Sequence, residues 1–436
     1  MTDAAAVDAL LAAAREQAGQ GNIRQAVQLS RQVLELAPDQ ADALNFLGQN
    51  ALTDGQFALA KQMFERAVEQ NGGDAQLLKN LGLACLGAQR LDEARFAFDR
   101  ALNLEPEFFV ARLYLGLTLE RLGHRDAALR EYFSAILKAQ AHGRWLGPDT
   151  TPPPLRELVV TAMRFVDAGR KRIFSAAYEG LRAQHGAAAL RRVDHALDIY
   201  LGEVPANVPD PQQKPKFLFF PELPTTRYFP RELFDWYEML ERNAATIREE
   251  LLAVLQGGQG IEPFLNIPRA EDVPRFLGAG PQGPPAWDAF FFYRHGVRYD
   301  DNCARCPRTS ALIDSLPLVR IRAHAPEVCF SVLTPGTHIL PHHGVTNTRL
   351  VTHLPLIVPE NCAIRVGGED HAWQEGRCVT FDDTFEHEAW NRSEQTRVVL
   401  IVDNWNPYLT DVEREALTVL VESIGAFNRE CGIPES

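Results

Sequence analysis

Residues 81–106 read LGLACLGAQRLDEARFAFDRALNLEP. Five positions organise them: Gly82, Ala94, Phe98, Ala101 and Pro106. The same phases recur at steps of 34 residues on either side. Gly82 has counterparts at Ala14, Gly48 and Gly116, and Ala94 at Ala26, Ala60 and Ala128. Phe98 corresponds to Ser30, Phe64 and Tyr132, Ala101 to Val33, Ala67 and Ala135, and Pro106 to Pro38, Gly72 and Gln140. Small residues let two antiparallel helices approach closely, the aromatic fills the gap to the next repeat, and the turn residue ends the second helix. A fixed period of this size marks stacked units that share one continuous core. The first copy departs most from the pattern, as a capping copy does.

The pattern resembles the tetratricopeptide repeat. That resemblance implies an α-helical solenoid over residues 1–140 with a groove that takes a protein or peptide partner. A mere spacer or a dimerisation arm is the plainer reading of the same array.

Outward from the array the texture changes. GPDTTPPP, residues 147–154, breaks it, and a helix-patterned stretch follows. EVPANVPDPQQKPK, residues 203–216, reads as a polar, proline-rich linker, which makes 141–215 a helical connector and predicts a boundary near 215. From about 288 short apolar runs alternate with Gly, Pro, Asn and Asp, without helices between them, as in a β-sandwich or barrel. The fold class is thus multidomain α + β, with a β-rich domain over 216–436 that a C-terminal helix closes.

Composition narrows the function. A chain of 436 residues calls for two or three domains. Its net charge of −13 favours neither nucleic acid nor an anionic membrane. No run of about 18 apolar residues predicts a membrane span, and the start, MTDAAAVDALLAAAREQ, reads as an amphipathic helix rather than a signal peptide. The expected location is cytoplasmic. Seven scattered cysteines suit a reducing compartment, and Cys303 and Cys306, a CxxC without a second pair, read as incidental thiols in a loop.

The chemistry concentrates in PGTHILPHHGVTNTRLVTHLPL, residues 335–356, and FDDTFEHEAW, residues 381–390. His342 and His387 each stand at the edge of a strand-like run, where a barrel can bring them together. Arg397 opens the strand RVVLIVDNW, and its guanidinium fork matches a carboxylate. Two imidazoles, open coordination positions and one arginine suit a non-haem Fe(II) centre with a dicarboxylate cosubstrate. Residue type and spacing alone leave structural histidines equally open. His338 and His343 read as bystanders, Asp382 and Asp383 as spare carboxylates, and Trp390 and Trp405 as packing residues. The usual carboxylate two residues after the first histidine is missing, because Gly344 stands there.

Ser331, PGTH, His342, Gly344, TNTRL, THLPL, FDDTFEHEAWN, Arg397 and VDNWNP together resemble the aspartate/asparagine β-hydroxylase family, from about residue 217 to 415. The resemblance implies a double-stranded β-helix (jelly-roll, cupin-like) and a 2-oxoglutarate-dependent dioxygenase that uses Fe(II) and O2. It implies His342 and His387 as the iron ligands, Arg397 and Ser331 as the pair on the far carboxylate of 2-oxoglutarate, and His353 beside the near one. Gly344 matches the branch of the family in which water replaces the carboxylate ligand. Val351 departs from a commonly basic position. Arg349, two residues earlier on the same strand face, is the expected substrate-binding residue. The expected substrate is a polypeptide, hydroxylated at the β-carbon of Asp or Asn and held by the repeat array. The alternatives are the same chemistry on a lipid or small molecule, and an inactive adaptor or 2-oxoglutarate sensor.

Overall fold

The repeated small residues are where the helices touch. In the computed structural model, which describes residues 3–433 except 268, 281 and 282, helices Ala41–Thr53 and Phe57–Gln70 form one hairpin. Ala75–Gly87 with Leu91–Leu104 and Phe109–Arg121 with Arg125–Ala141 form two more. In each a glycine lies under an aromatic ring: Gly48 under Phe64, Gly82 under Phe98, Gly116 under Tyr132. A Cβ on Gly82 would come within 2.6 Å of the Phe98 ring, which is fully buried and has nowhere to move. The hairpin of Asp3–Gly19 and Ile23–Leu36 uses the buried pair Ala14 and Ser30 at the same phases.

The chain divides into two compact units, residues 1–170 with 427–436, and residues 171–426. The first contains the helical array. The second is β-rich. Its strands are β1 (Ile261–Pro263), β2 (Leu277–Gly278), β3 (Trp287–Arg294), β4 (Val297–Arg298), β5 (Val328–Leu333), β6 (His338–His342), β7 (Arg349–Ile357), β8 (Cys362–Val366), β9 (Glu369–His371), β10 (Val379–Phe381), β11 (His387–Asn391) and β12 (Arg397–Trp405). Among the described residues they form two antiparallel sheets, one in the order β1-β3-β5-β12-β7-β10 with β4 on β3, the other β2-β6-β11-β8-β9.

Every residue of β5 is buried because both of its faces are covered. Val328, Phe330 and Val332 join Leu240, Ile247 and Leu251 of helices Tyr237–Arg242 and Ala244–Gly257. Cys329 and Leu333 face the second sheet and share a cluster with Ile339, Ile364 and Val366. That inward layer also holds Ser331, His353, Arg397 and Asp403, all buried. Polar side chains in an apolar layer cost free energy unless something pairs with them, so this layer is where a ligand belongs.

Two local expectations change. Cys303 and Cys306 are not in a loop. They lie in helix Asp300–Arg305 and just before helix Pro307–Asp314, and both are buried. The stretch 203–216 is not a free linker throughout, since Gln213 is 3% exposed and pairs with Phe385. No helix among the described residues is long and apolar enough to cross a membrane.

Candidate metal centre

Strict alternation along β6 would turn His342 to the same face as His338. The structure does otherwise. His387 pairs with His342, but Ala389 pairs with Ile339, so the register shifts between them. Two residues of β6, Leu340 and Pro341, therefore oppose the single Glu388. Such a bulge re-aims the side chain beyond it, and Pro341, which has no N–H to give a ladder, is at home there. His342 turns inward to meet His387, with ring centroids 4.0 Å apart. His338 stays outward and meets Glu388 at 2.7 Å.

Each inward imidazole is held by a carbonyl two residues before it. His342 Nδ1 lies 2.8 Å from the Leu340 carbonyl and His387 Nδ1 lies 3.0 Å from that of Phe385. The Nδ1–H is thereby committed and the Nε2 lone pair remains, the form in which histidine binds a metal. Burial, joined by the neighbouring His387, pulls His342 down to about 3, and burial pulls His387 down to about 4. Both rings are neutral at pH 7.

From this pair a ring of neighbours closes on itself. Phe381 lies 5.8 Å from His387 and 5.0 Å from His353. Trp373 lies 5.8 Å from His353, and the Arg397 guanidinium sits 4.8 Å from the Trp373 ring centre. Arg397 Nη1 donates to the Ser331 carbonyl and hydroxyl oxygens, both at 3.3 Å. Trp287 Nε1 donates to the same hydroxyl at 2.9 Å, and its ring is 6.3 Å from His342. Five of the six residues expected from sequence, His342, His387, His353, Arg397 and Ser331, share this ring. Trp287, Phe381 and Trp373 were not expected. Nothing in their local sequence marks them, because their place follows from strand register.

The ring fits a dicarboxylate. Arg397 is 1% exposed, its Nε has no partner, and among the described residues no carboxylate pairs with it. Burial pulls its guanidinium down to about 10. With two donors aimed at its oxygen, the Ser331 hydroxyl is left to donate its own proton. His353 Nδ1 is also buried without a partner.

Gly344 accounts for the missing carboxylate in an unexpected way. A Cβ at Gly344 would lie 2.1 Å from the Asp383 carboxylate, so that side chain fills the room a residue there would need. Asp383 Oδ1 is buried without a partner. Burial pushes its carboxyl above the ordinary range, and Arg349 and His342 pull it back. Among the described residues no three His, Cys, Asp or Glu side chains gather at ligating geometry, so the donor set brought together is the two imidazoles. Gly344→Asp is expected to lower the thermal midpoint rather than add a ligand, at an overpacking cost of about 1–3 kcal/mol. Calorimetry on this variant and on Gly344→Asp with Asp383→Ala checks it, with the double variant recovering most of the loss.

Arg349 stands off the ring. Its Nη1 donates to Asp403 at 2.8 Å, while its Nε is buried without a partner. Val351, at the commonly basic position, packs in the inter-sheet cluster with Phe381.

Residues 241–407 match the family model described as Aspartyl/Asparaginyl beta-hydroxylase, and residues 11–60 and 47–106 match a tetratricopeptide repeat model. The chain carries a domain of the aspartyl/asparaginyl β-hydroxylase family. Aspartate beta-hydroxylase domain-containing protein 2 of Xenopus tropicalis is 39% identical over 47% of this chain and 54% of its own length. Human aspartyl/asparaginyl beta-hydroxylase is 37% identical over 42% of this chain and 22% of its own. The ornithine lipid ester-linked acyl 2-hydroxylase of Rhizobium tropici is 37% identical over 40% of this chain and 58% of its own. The chain spans about half the length of the first of these relatives. Relatives of the aspartyl/asparaginyl β-hydroxylase domain are thus named as hydroxylases of two kinds.

Proposed function

We propose that the chain is an Fe(II)- and 2-oxoglutarate-dependent dioxygenase that hydroxylates a polypeptide at the β-carbon of an Asp or Asn residue. One observation carries this reading: two imidazoles, each with Nδ1 committed to a backbone carbonyl, share a chamber with a buried arginine that has no carboxylate partner among the described residues. The strand order β5-β12-β7-β10 facing β6-β11-β8-β9 supports a double-stranded β-helix. Residues 216–436 would supply the chemistry and 1–140 would recruit the polypeptide, with 141–215 connecting them. A cytoplasmic location belongs to the same proposal, supported by seven unbonded, buried cysteines.

His342 and His387 would hold the iron. When bound, iron with 2-oxoglutarate and O2 supplies the oxidant for a C–H bond, and 2-oxoglutarate leaves as succinate and CO2. Arg397 and Ser331 would hold the far carboxylate of 2-oxoglutarate and fix its orientation, with His353 beside the near one. Phe381, Trp373 and Trp287 keep the chamber apolar and exclude water, which strengthens each of these contacts. Arg349 would offer its unspent Nε to the acidic or amide side chain of the target, while Asp403 holds the guanidinium in place.

The test is incubation of the purified chain with Fe(II), 2-oxoglutarate and O2 against a cell-derived peptide library and, separately, a lipid extract, with His342→Ala as control. The expected result is His342-dependent succinate together with peptides heavier by one oxygen at Asp or Asn. Oxygen gained only by lipid would replace the polypeptide substrate. Absence of succinate under every condition would leave the adaptor reading.

A further inference from the structure

We propose that the segment Asp210–Leu218, which precedes the family-matched residues, is a built part of the metal centre, with Gln213 as a positioning residue for the turn that leads into His387. This rests on the metal reading above and deepens it. The segment is tied on one side to residues 384–386: Lys214 N donates to the Thr384 carbonyl at 2.8 Å, and Glu386 N donates to the Gln212 carbonyl at 3.2 Å. Two residues further on it is tied to the loop after His342: Lys216 N donates to the Gly344 carbonyl at 3.1 Å and Phe217 N to that of Val345 at 2.9 Å. The two turns are also joined directly, since Gly344 N donates to the Asp383 carbonyl at 2.6 Å. One short strap thus spans both ligand-bearing turns.

Gln213 is its keystone. The side chain is buried, and its Nε2 donates to Asp382 Oδ2 at 2.8 Å and to Thr384 Oγ1 at 3.2 Å. The other Asp382 oxygen accepts from within the turn, from the Thr384 amide. Among the described residues Gln213 is therefore the side chain that reaches the Asp382 carboxylate from outside the turn, while the Asp382 amide donates to the Arg227 carbonyl at 3.0 Å. The residue it pairs with across the bridge is Phe385, whose carbonyl holds His387 Nδ1. Arg227 closes the far end, with Nη2 on Asp210 at 2.8 Å and its guanidinium 5.0 Å from the Phe385 ring centre. Without the Gln213 amide, Asp382 Oδ2 loses the donor it has among the described residues, and the turn can relax in the direction that loosens the Phe385 carbonyl from His387. Partners that orient a ligand in this way control how well it binds metal.

The test titrates Co(II) into the full chain and follows its visible absorption, in the wild type, Gln213→Ala and Gln213→Glu. The expected result is a Kd raised about 10–100-fold in Gln213→Ala, the range for losing a partner behind a metal ligand. Gln213→Glu, which keeps the length but sets a carboxylate against Asp382, raises it at least as far. A folded Gln213→Ala chain that binds Co(II) as tightly as wild type overturns the inference. Hydrogen exchange on the unaltered chain is the second measurement. The Lys214, Lys216 and Phe217 amides should be protected like those of strand β11, and exchange at the rate of a free loop overturns the inference whatever the variants do. Failure of the wild type to take up Co(II) would instead sink the metal reading, and the exchange pattern would still decide the strap.

Discussion

His387→Ala is expected to weaken Co(II) or Fe(II) binding by more than about 100-fold, beyond the range for losing an outer partner of a ligand. The donor set brought together is two imidazoles, so removing one takes half of it. The facing ring of His342 then keeps its carbonyl contact to Leu340 but points a single Nε2 into an apolar chamber. His338→Ala is the informative comparison. Its ring lies on the outer face against Glu388, and metal affinity should stay at the wild-type value. Isothermal titration of both variants decides the matter. Equal losses in the two would mean that the histidine-rich stretch binds metal without the β6 bulge selecting a ligand.

Arg397→Met should separate cosubstrate binding from stability. The guanidinium is fully buried, and among the described residues its hydrogen-bond partners are two neutral oxygens, both at 3.3 Å. A buried charge of this kind is costly until an anion joins it, and replacing it with an apolar chain of similar length is often neutral or stabilising. The thermal midpoint without ligand is therefore expected to hold or rise. Affinity for 2-oxoglutarate should fall by roughly 2–5 kcal/mol, the range for truncating one side of a buried charge pair. At 1.4 kcal/mol per tenfold that is about 30-fold to several thousandfold. Thermal shift with and without 2-oxoglutarate reads both. A variant that loses stability but keeps the ligand-induced shift would make Arg397 a structural residue.

The helical array could be read in advance because its rule is local. A period, a small residue and an aromatic at fixed phases place Gly82 under Phe98 wherever the chain folds. The strands were legible for the same reason, from apolar runs between turn residues. Within the site, Arg397 was legible as the arginine that opens an apolar strand and Ser331 only through the family resemblance, and burial of β5 and β12 gives them a shared chamber. Trp287, Phe381 and Trp373 could not be picked out, because each is one apolar residue among many and only cross-strand register brings it to the ring. Arg349 was expected to bind substrate, and Asp403, 54 residues later, accepts from its Nη1.

What the sequence determined by itself was the list of parts: a repeat array, a β-rich unit, two candidate ligands and one arginine. Alternation along a strand is all that a sequence offers about direction, and for β6 it points His342 the wrong way. Only the tertiary structure decided that Leu340 and Pro341 bulge against Glu388 and turn His342 onto His387. It alone put the Asp383 side chain in the room beside Gly344, and laid residues 210–218 across both turns. These outcomes depend on pairing between residues far apart in the chain, where a one-residue shift of register reverses every side chain beyond it.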